Sequence, residues 1–107
     1  MAYKVIWTQK ARKQRTETLN YGAQTFGKKL ALKLRNSLRE YDGLLSTNPH
    51  LGPVEPLLVK ETLTFRSIVI HKHYKLVYYV DTTASIIHIV ALWDTRREPQ
   101  SQAQQTK

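Results

Sequence analysis

Apolar and polar residues alternate along some stretches of this 107-residue chain and follow a helical period along others. The alternating run Ala2–Trp7 predicts a short strand. A helical period follows from about residue 9 to about residue 46, and Gly27 predicts a break between two helices. Beyond a connection at residues 48–64, three runs rich in β-branched and aromatic residues predict successive strands. These runs are Phe65–His71, His73–Val80 and Ser85–Trp93.

The two predicted helices differ in how much apolar surface they offer. Thr8 is suited to cap the first, because its hydroxyl can accept a hydrogen bond from a free amide of the first turn. This helix, from about Gln9 to about Thr25, has few apolar positions and a strongly cationic face. The second helix carries one amphipathic stripe, whose members recur every three or four residues. They are Leu30, Leu34, Leu38, Tyr41 and Leu45.

The order of elements is β-α-α-β-β-β, which predicts an α+β fold. We expect an antiparallel, twisted sheet with a two-helix hairpin packed on one face. The other face, or its edge and the C-terminal end, should be left partly open. The proline-rich connection is expected to hold a short extended piece at Leu57–Val59. One domain should span residues 1–97, and the polar residues 98–107 should form a flexible tail.

Charge narrows the choice of partner. The chain carries a formal net charge of +9, and residues 1–39 hold ten Lys or Arg against one acid, Glu17. Such a field attracts polyanions. A well-solvated surface and an acidic protein partner are the alternative explanations.

Several classes of protein are excluded or disfavoured. The absence of cysteine excludes disulfides and thiolate metal sites. The four histidines lack a convincing metal spacing, so we expect neither a metal nor another cofactor. We see no signal peptide and no stretch long enough to cross a bilayer, and we therefore expect a cytoplasmic protein without a membrane partner.

Four segments together resemble a known superfamily. They are VIWTQKA at Val5–Ala11, the helix and turn from Phe26 to Gly52, FRSIVIHKHYKLVYYVD at Phe65–Asp81, and IIHIVALWDTRREP at Ile86–Pro99. Their order and spacing are similar to those of the RelE/ParE toxins of bacterial toxin–antitoxin modules. The resemblance covers residues 3–99, and it is more specific for the superfamily than for one activity within it.

The resemblance implies a toxin that inhibits growth until a cognate antitoxin neutralises it, with promoter DNA bound only through the antitoxin. RelE-like members cut messenger RNA on the ribosome, whereas ParE-like members inhibit DNA gyrase without known catalytic residues. We expect metal-independent mRNA cleavage, which would make the chain an endoribonuclease. The alternatives are a non-catalytic gyrase inhibitor and an inactive nucleic-acid-binding relative.

RNA cleavage by a 2′-hydroxyl needs a base, a cation at the phosphate and an acid for the leaving oxygen. The resemblance places Arg66, Lys75 and Arg96 at basic positions of RelE-like sites, so these three are the predicted catalytic residues. Each has an alternative role, as a surface cation or an antitoxin contact. Many RNA-cutting relatives have a Tyr or His after the last Arg; here Arg97 is followed by Glu98 and Pro99.

Histidine and tyrosine side chains supply further candidates. His71 and His73 flank the expected hairpin turn and are either exposed or available as acid or base. His88 is expected to be half-buried. Of Tyr78 and Tyr79, one must face the core, because neighbouring strand residues point to opposite faces.

Overall fold

The computed structural model describes residues 2–59 and 61–96 and confirms the predicted order of elements. Arg97 and the expected flexible tail at residues 98–107 lie outside the described residues. The helices are α1 (Gln9–Phe26) and α2 (Lys28–Thr47). The strands are β1 (Lys4–Trp7), β2 (Phe65–Ile70), β3 (Tyr74–Asp81) and β4 (Ile86–Asp94).

Local sequence explains where the two helices begin and where they meet. The Thr8 hydroxyl accepts a hydrogen bond from the Ala11 amide at 3.1 Å, which confirms the predicted cap. Gly27 has a φ of +96°, a conformation that side chains disfavour, and it separates α1 from α2 as predicted. The two helices are therefore joined by a single residue and fold back on one another as a hairpin.

The sheet has the strand order β1-β4-β3-β2. Strands β2, β3 and β4 form the antiparallel meander that the sequence predicts. Strand β1, in contrast, pairs with β4 in parallel, with Val5 opposite Ile87, so the sheet is mixed and the expectation of a wholly antiparallel sheet is wrong for this strand. Alternation along a strand defines its faces, but it does not give its direction relative to a partner some eighty residues away.

The main core lies between the helical hairpin and one face of the sheet, as predicted. The stripe of α2 buries Leu34, Leu38 and Leu45 and partly buries Tyr41, whereas Leu30 is 52% exposed. Residues from all four strands complete this core, among them Trp7, Ile70, Leu76, Tyr78, Ile87 and Ile89.

The connection between α2 and β2 covers part of the opposite face. The extended piece expected at Leu57–Val59 is wrong, because Pro56–Leu58 forms a single 3-10 turn capped by the Glu55 side chain. Leu58 packs there against a second, smaller core of Val77, Ala91 and Trp93. Proline has a fixed φ that suits the first residue of a helical turn. The sequence pattern alone did not distinguish such a turn from a short strand.

Candidate functional site on the sheet and the helical hairpin

Arg66 lies on the helix-facing side of β2, opposite Tyr78 of β3. Its guanidinium Nη1 donates to the Gly52 carbonyl at 2.9 Å, and the Gly52 amide donates to the Tyr78 hydroxyl at 2.9 Å. Burial raises the pKa of Tyr78, so this hydroxyl stays protonated. Arg66 therefore fastens the connection after α2 to the edge of the sheet.

Lys75 lies on the other face of the sheet, opposite Val69. Its Nζ is 3.1 and 3.2 Å from the two carboxylate oxygens of Glu55. Glu55 has no solvent exposure, and the Ser67 hydroxyl donates to the same carboxylate. A buried carboxylate needs such partners, because the loss of its hydration is otherwise uncompensated. The charge of Lys75 is thus already matched inside the protein.

Arg96 follows the end of β4 and is exposed. Its Nε donates to Asp94 at 3.0 Å, and its guanidinium carbon lies 5.9 Å from the centre of the Tyr74 ring. Burial would raise the pKa of Asp94, but hydrogen bonds from Arg96 outweigh it and the pKa is lowered. The bond to Asp94 in turn raises the pKa of Arg96, which is a permanent cation here.

The three predicted catalytic residues do not converge on one site. Arg66 and Lys75 project from opposite faces of the sheet, and Arg96 lies beyond the end of β4, next to Tyr74. Each already contacts an oxygen of the protein, at Gly52, Glu55 or Asp94. Their joint role in catalysis stays a prediction.

The histidines and tyrosines are distributed as the strand alternation requires. Tyr78 is buried in the main core, whereas Tyr79 faces the other side, stacked on the half-buried His88 with ring centres 4.7 Å apart. His71 and His73 are exposed at the hairpin turn, and His71 Nε2 is 2.7 Å from the Ser37 hydroxyl of α2. No group of histidine and acidic residues within 2–59 and 61–96 could hold a metal ion.

Sequence reasoning missed two acids that organise the fold. Glu55 stands in a proline-rich connection without periodicity, and its only signal was its position among apolar residues. Asp42 of α2 accepts a hydrogen bond from the Trp7 indole at 3.0 Å, and the guanidinium of Arg15 lies 4.5 Å from the Trp7 ring. Burial raises the pKa of Asp42, although the Trp7 hydrogen bond and the charge of Arg15 oppose the shift.

A shallow groove runs along the hairpin between α1 and α2. Its floor is apolar and cations stand at its rim; its lining residues are Leu19, Ala23, Ala31, Leu32, Lys28 and Arg35. None of the helices in the described part of the chain is both long and apolar enough to cross a membrane.

A helical hairpin packed on a four-stranded mixed sheet, with a strongly cationic surface, defines a small α+β protein. The chain belongs to the family of ParE toxins of type II toxin–antitoxin systems, whose sequence model matches residues 5–99. Curated protein sequences contain no significant match.

Solved structures of the RelE/ParE superfamily share the fold at low sequence identity. The chain is similar to a protein of the chromosomal ParDE toxin–antitoxin system of P. aeruginosa, with 18% identity, a TM-score of 0.67 and coverage of 87% of this chain and 96% of that one. It is also similar to a chain of the RelBE2 toxin–antitoxin complex of Mycobacterium tuberculosis (21%, TM-score 0.63, coverage 88% and 99%). A third similar structure is an arginine-to-alanine double mutant of the E. coli toxin RelE in its free state (17%, TM-score 0.64, coverage 99% and 94%).

Proposed function

We propose that this toxin arrests growth by binding its target rather than by cutting RNA, and that the target is DNA gyrase. The observation that carries the proposal is the Lys75–Glu55 ion pair, on the face of the sheet that Arg66 does not share. RNA cleavage needs an acid, a base and a cation around one phosphate. Inhibition by binding needs only a complementary surface, and the matching family is that of the ParE toxins.

A supercoiling assay with purified gyrase tests the proposal. Relaxed plasmid, gyrase and ATP are incubated with increasing amounts of the full-length chain, and supercoiled product is measured. Loss of supercoiling together with unchanged translation in a purified ribosomal system is the expected result. Normal supercoiling at a large molar excess of toxin would overturn the proposal.

Messenger RNA cleavage is the second candidate, and the surroundings of Arg96 favour it. Arg96 is exposed, its Nη2 is 3.5 Å from the Tyr74 hydroxyl, and the amide of the preceding Thr95 donates to the carbonyl of His73 at 2.7 Å. A guanidinium beside a phenol offers charge stabilisation and a proton donor. In this alternative Arg66, Lys75 and Arg96 act as the catalytic set.

Primer extension on a translated message distinguishes the two candidates. Cleavage predicts new 5′ ends within codons, which Arg96→Gln and Tyr74→Phe should abolish while the proteins remain folded. Gyrase inhibition predicts no such ends and an unchanged pattern in both variants.

We also propose that a cognate antitoxin, acting in the cytoplasm, covers the groove of the helical hairpin and supplies the contacts to promoter DNA. An apolar floor rimmed by Lys28 and Arg35 fits an amphipathic segment with acidic residues. Leu32→Asp should prevent co-purification with the protein encoded by the neighbouring short gene. Leu44→Asp is the matched control, because Leu44 is equally exposed on α2 (46% against 48%) but does not line the groove.

A further inference from the structure

Exposed cations follow the line along which α1 and α2 meet. The groove brings Leu19 and Ala23 of α1 against Lys28 and Arg35 of α2. Arg12 lies seven and eleven residues before these two α1 positions, and therefore on the same side of α1. Arg39 follows Lys28 by eleven residues and Arg35 by four, and it therefore lies on the same side of α2 as these two residues. We call Arg12, Lys28, Arg35 and Arg39 the seam row.

The row continues past the apolar floor of the groove. Arg12 and Arg39 are at similar distances along the chain from Gly27, where the hairpin turns, so both lie well away from that turn. From Lys28 to Arg39 the α2 side of the row extends about 16 Å, at 1.5 Å of rise per residue. All four side chains are exposed.

Within the part of the chain that the structure describes, no ion pair joins a carboxylate to this row. Residues 9–47 contain nine Lys or Arg and three acids, and one of these acids, Asp42, is turned inward to the Trp7 indole. The ion pairs found among residues 2–59 and 61–96, Lys75–Glu55 and Arg96–Asp94, both lie elsewhere. A linear set of uncompensated cations attracts a linear polyanion.

In the free toxin, before an antitoxin covers Lys28 and Arg35, the composition of the row favours a phosphodiester backbone over an acidic protein. Three of its four members are arginines, whose planar guanidinium matches phosphate oxygens with two parallel hydrogen bonds. Away from the turn, at Arg12 and Arg39, the apolar floor that an amphipathic protein segment would need is absent from the groove lining.

The surroundings of the row also favour a duplex over a single strand. Single-stranded nucleic acid is usually held by bases stacked on exposed aromatic rings. The exposed aromatic residues of the hairpin, Tyr21 and Phe26, contact each other near its turn and are not interleaved with the arginines. We propose that the seam row binds the backbone of duplex DNA without reading its sequence. This inference does not depend on gyrase being the target.

Two triple variants with the same loss of charge test the proposal. The seam variant is Arg12→Gln/Arg35→Gln/Arg39→Gln. The control variant is Lys10→Gln/Lys29→Gln/Lys33→Gln, which removes three exposed cations from the same helices at positions off the seam. Glutamine is a good helix former, so both variants should keep the hairpin, and thermal unfolding verifies this.

Fluorescence anisotropy with a 30-base-pair DNA of arbitrary sequence measures the affinity of each full-length protein. We expect the seam variant to bind about 10- to 100-fold more weakly at 150 mM salt, and its plot of log K against log salt to be shallower by about 2 to 3, because up to three phosphate contacts are lost. The control variant should lose no more than about 3-fold, through the longer-range field alone. A second DNA of different sequence should bind equally well.

Four outcomes would overturn the proposal. The first is an equal loss of DNA affinity in the two variants, and the second is tighter binding of single-stranded or duplex RNA than of duplex DNA. The third is competition by polyglutamate as strong as that by unlabelled DNA at 150 mM salt, and the fourth is a strong preference for one DNA sequence. The gyrase assay is independent of these measurements. Failure to inhibit gyrase with intact DNA binding would remove the proposed function and leave the seam row in place.

Discussion

Glu55 has no contact with solvent, and its burial determines what Lys75 can do. A carboxylate transferred from water into the protein loses hydration worth several kcal/mol, which only a cation and further hydrogen bonds can offset. Lys75 and Ser67 provide them. A phosphate that approached Lys75 would have to compete with a carboxylate that has no other cation beside it among the described residues.

Removing the lysine should therefore destabilise the fold. We expect Lys75→Met to lower the free energy of unfolding by roughly 3 kcal/mol, because it leaves Glu55 buried and unpaired. Lys75→Met/Glu55→Gln should recover a large part of this loss, since the neutral amide still accepts from Ser67. Urea unfolding of the two single variants and the double variant measures the coupling. If the losses of unfolding free energy in the two single variants add up to that of the double variant, the interaction between Lys75 and Glu55 contributes nothing to stability.

Asp42 and Asp94 should respond to pH with opposite signs. Burial raises the pKa of Asp42 in the folded state, so the folded protein binds this proton more tightly, and stability falls as pH rises from about 3.8 through the raised value. The pKa of Asp94 is lowered, so its contribution is present above 3.8 and is lost as pH falls through the lower folded value.

Conservative amides test these signs. Asp42→Asn should unfold at the same or a higher temperature than the parent at pH 7, and this advantage should vanish near pH 4. Asp94→Asn should be less stable at pH 7 by less than about 1 kcal/mol, because its partner Arg96 is solvent-exposed. Melting temperatures between pH 3 and 7 check both, and an unchanged difference for Asp42→Asn across this range would contradict the burial argument.

The sequence revealed the basic residues of the candidate site but not their partners. Alternation required one of Tyr78 and Tyr79 to face the core, but only the structure shows that it is Tyr78. Arg66 shares the face of Tyr78 because the hairpin turn at residues 71–73 sets the register between β2 and β3. The length of this turn was uncertain from the sequence, because the predicted strands ended at His71 and began at His73, whereas β2 ends at Ile70 and β3 begins at Tyr74. Glu55 contacts Lys75 from the connection at residues 48–64, where apolar residues follow neither a helical nor a strand period, so this contact could not be predicted from the sequence.

At the scale of elements, periodic stretches were predicted closely and the non-periodic one was not. Both helices and the three C-terminal strands lie within about one residue of their predicted bounds, because a buried stripe or an alternating face repeats along each of them. The connection at residues 48–64 folds through tertiary contacts instead. The Gly52 amide and carbonyl bind Tyr78 and Arg66, and Leu58 fills the second core.

Gly52 and Gly43 should respond in opposite ways to alanine. A Cβ at Gly52 would lie 2.5 Å from the Ser67 carbonyl oxygen, so Gly52→Ala must shift the connection and should cost about 1–3 kcal/mol. A Cβ at Gly43 of α2 meets nothing within 4 Å, and Gly43→Ala should stabilise the helix by about 0.5–1 kcal/mol. Denaturant unfolding of both variants measures these changes. Equal effects would show that the connection does not depend on the close approach at Gly52.

For the molecule as a whole, the net charge of +9 acts on stability as well as on binding. Uncompensated cations repel one another across the hairpin, and this repulsion opposes the compact state. Salt also weakens the Lys75–Glu55 and Arg96–Asp94 pairs. That weakening of the pairs should be the smaller effect, because Glu55 of the first pair is buried and an exposed pair contributes at most about 1 kcal/mol.

Raising NaCl from 10 to 100 mM shortens the Debye length from about 30 Å to about 10 Å, less than the length of the seam row. We therefore expect the melting temperature of the parent protein to rise by several degrees over this range, as roughly 1 kcal/mol of repulsion is screened. Chloride is the appropriate anion, because sulfate strengthens apolar burial by itself. The melting temperature of the seam variant should rise less with NaCl than that of the parent, since three of the repelling charges are absent. A melting temperature that falls with NaCl would mean that attractive pairs, and not repulsion along the hairpin, dominate the electrostatics of the folded toxin.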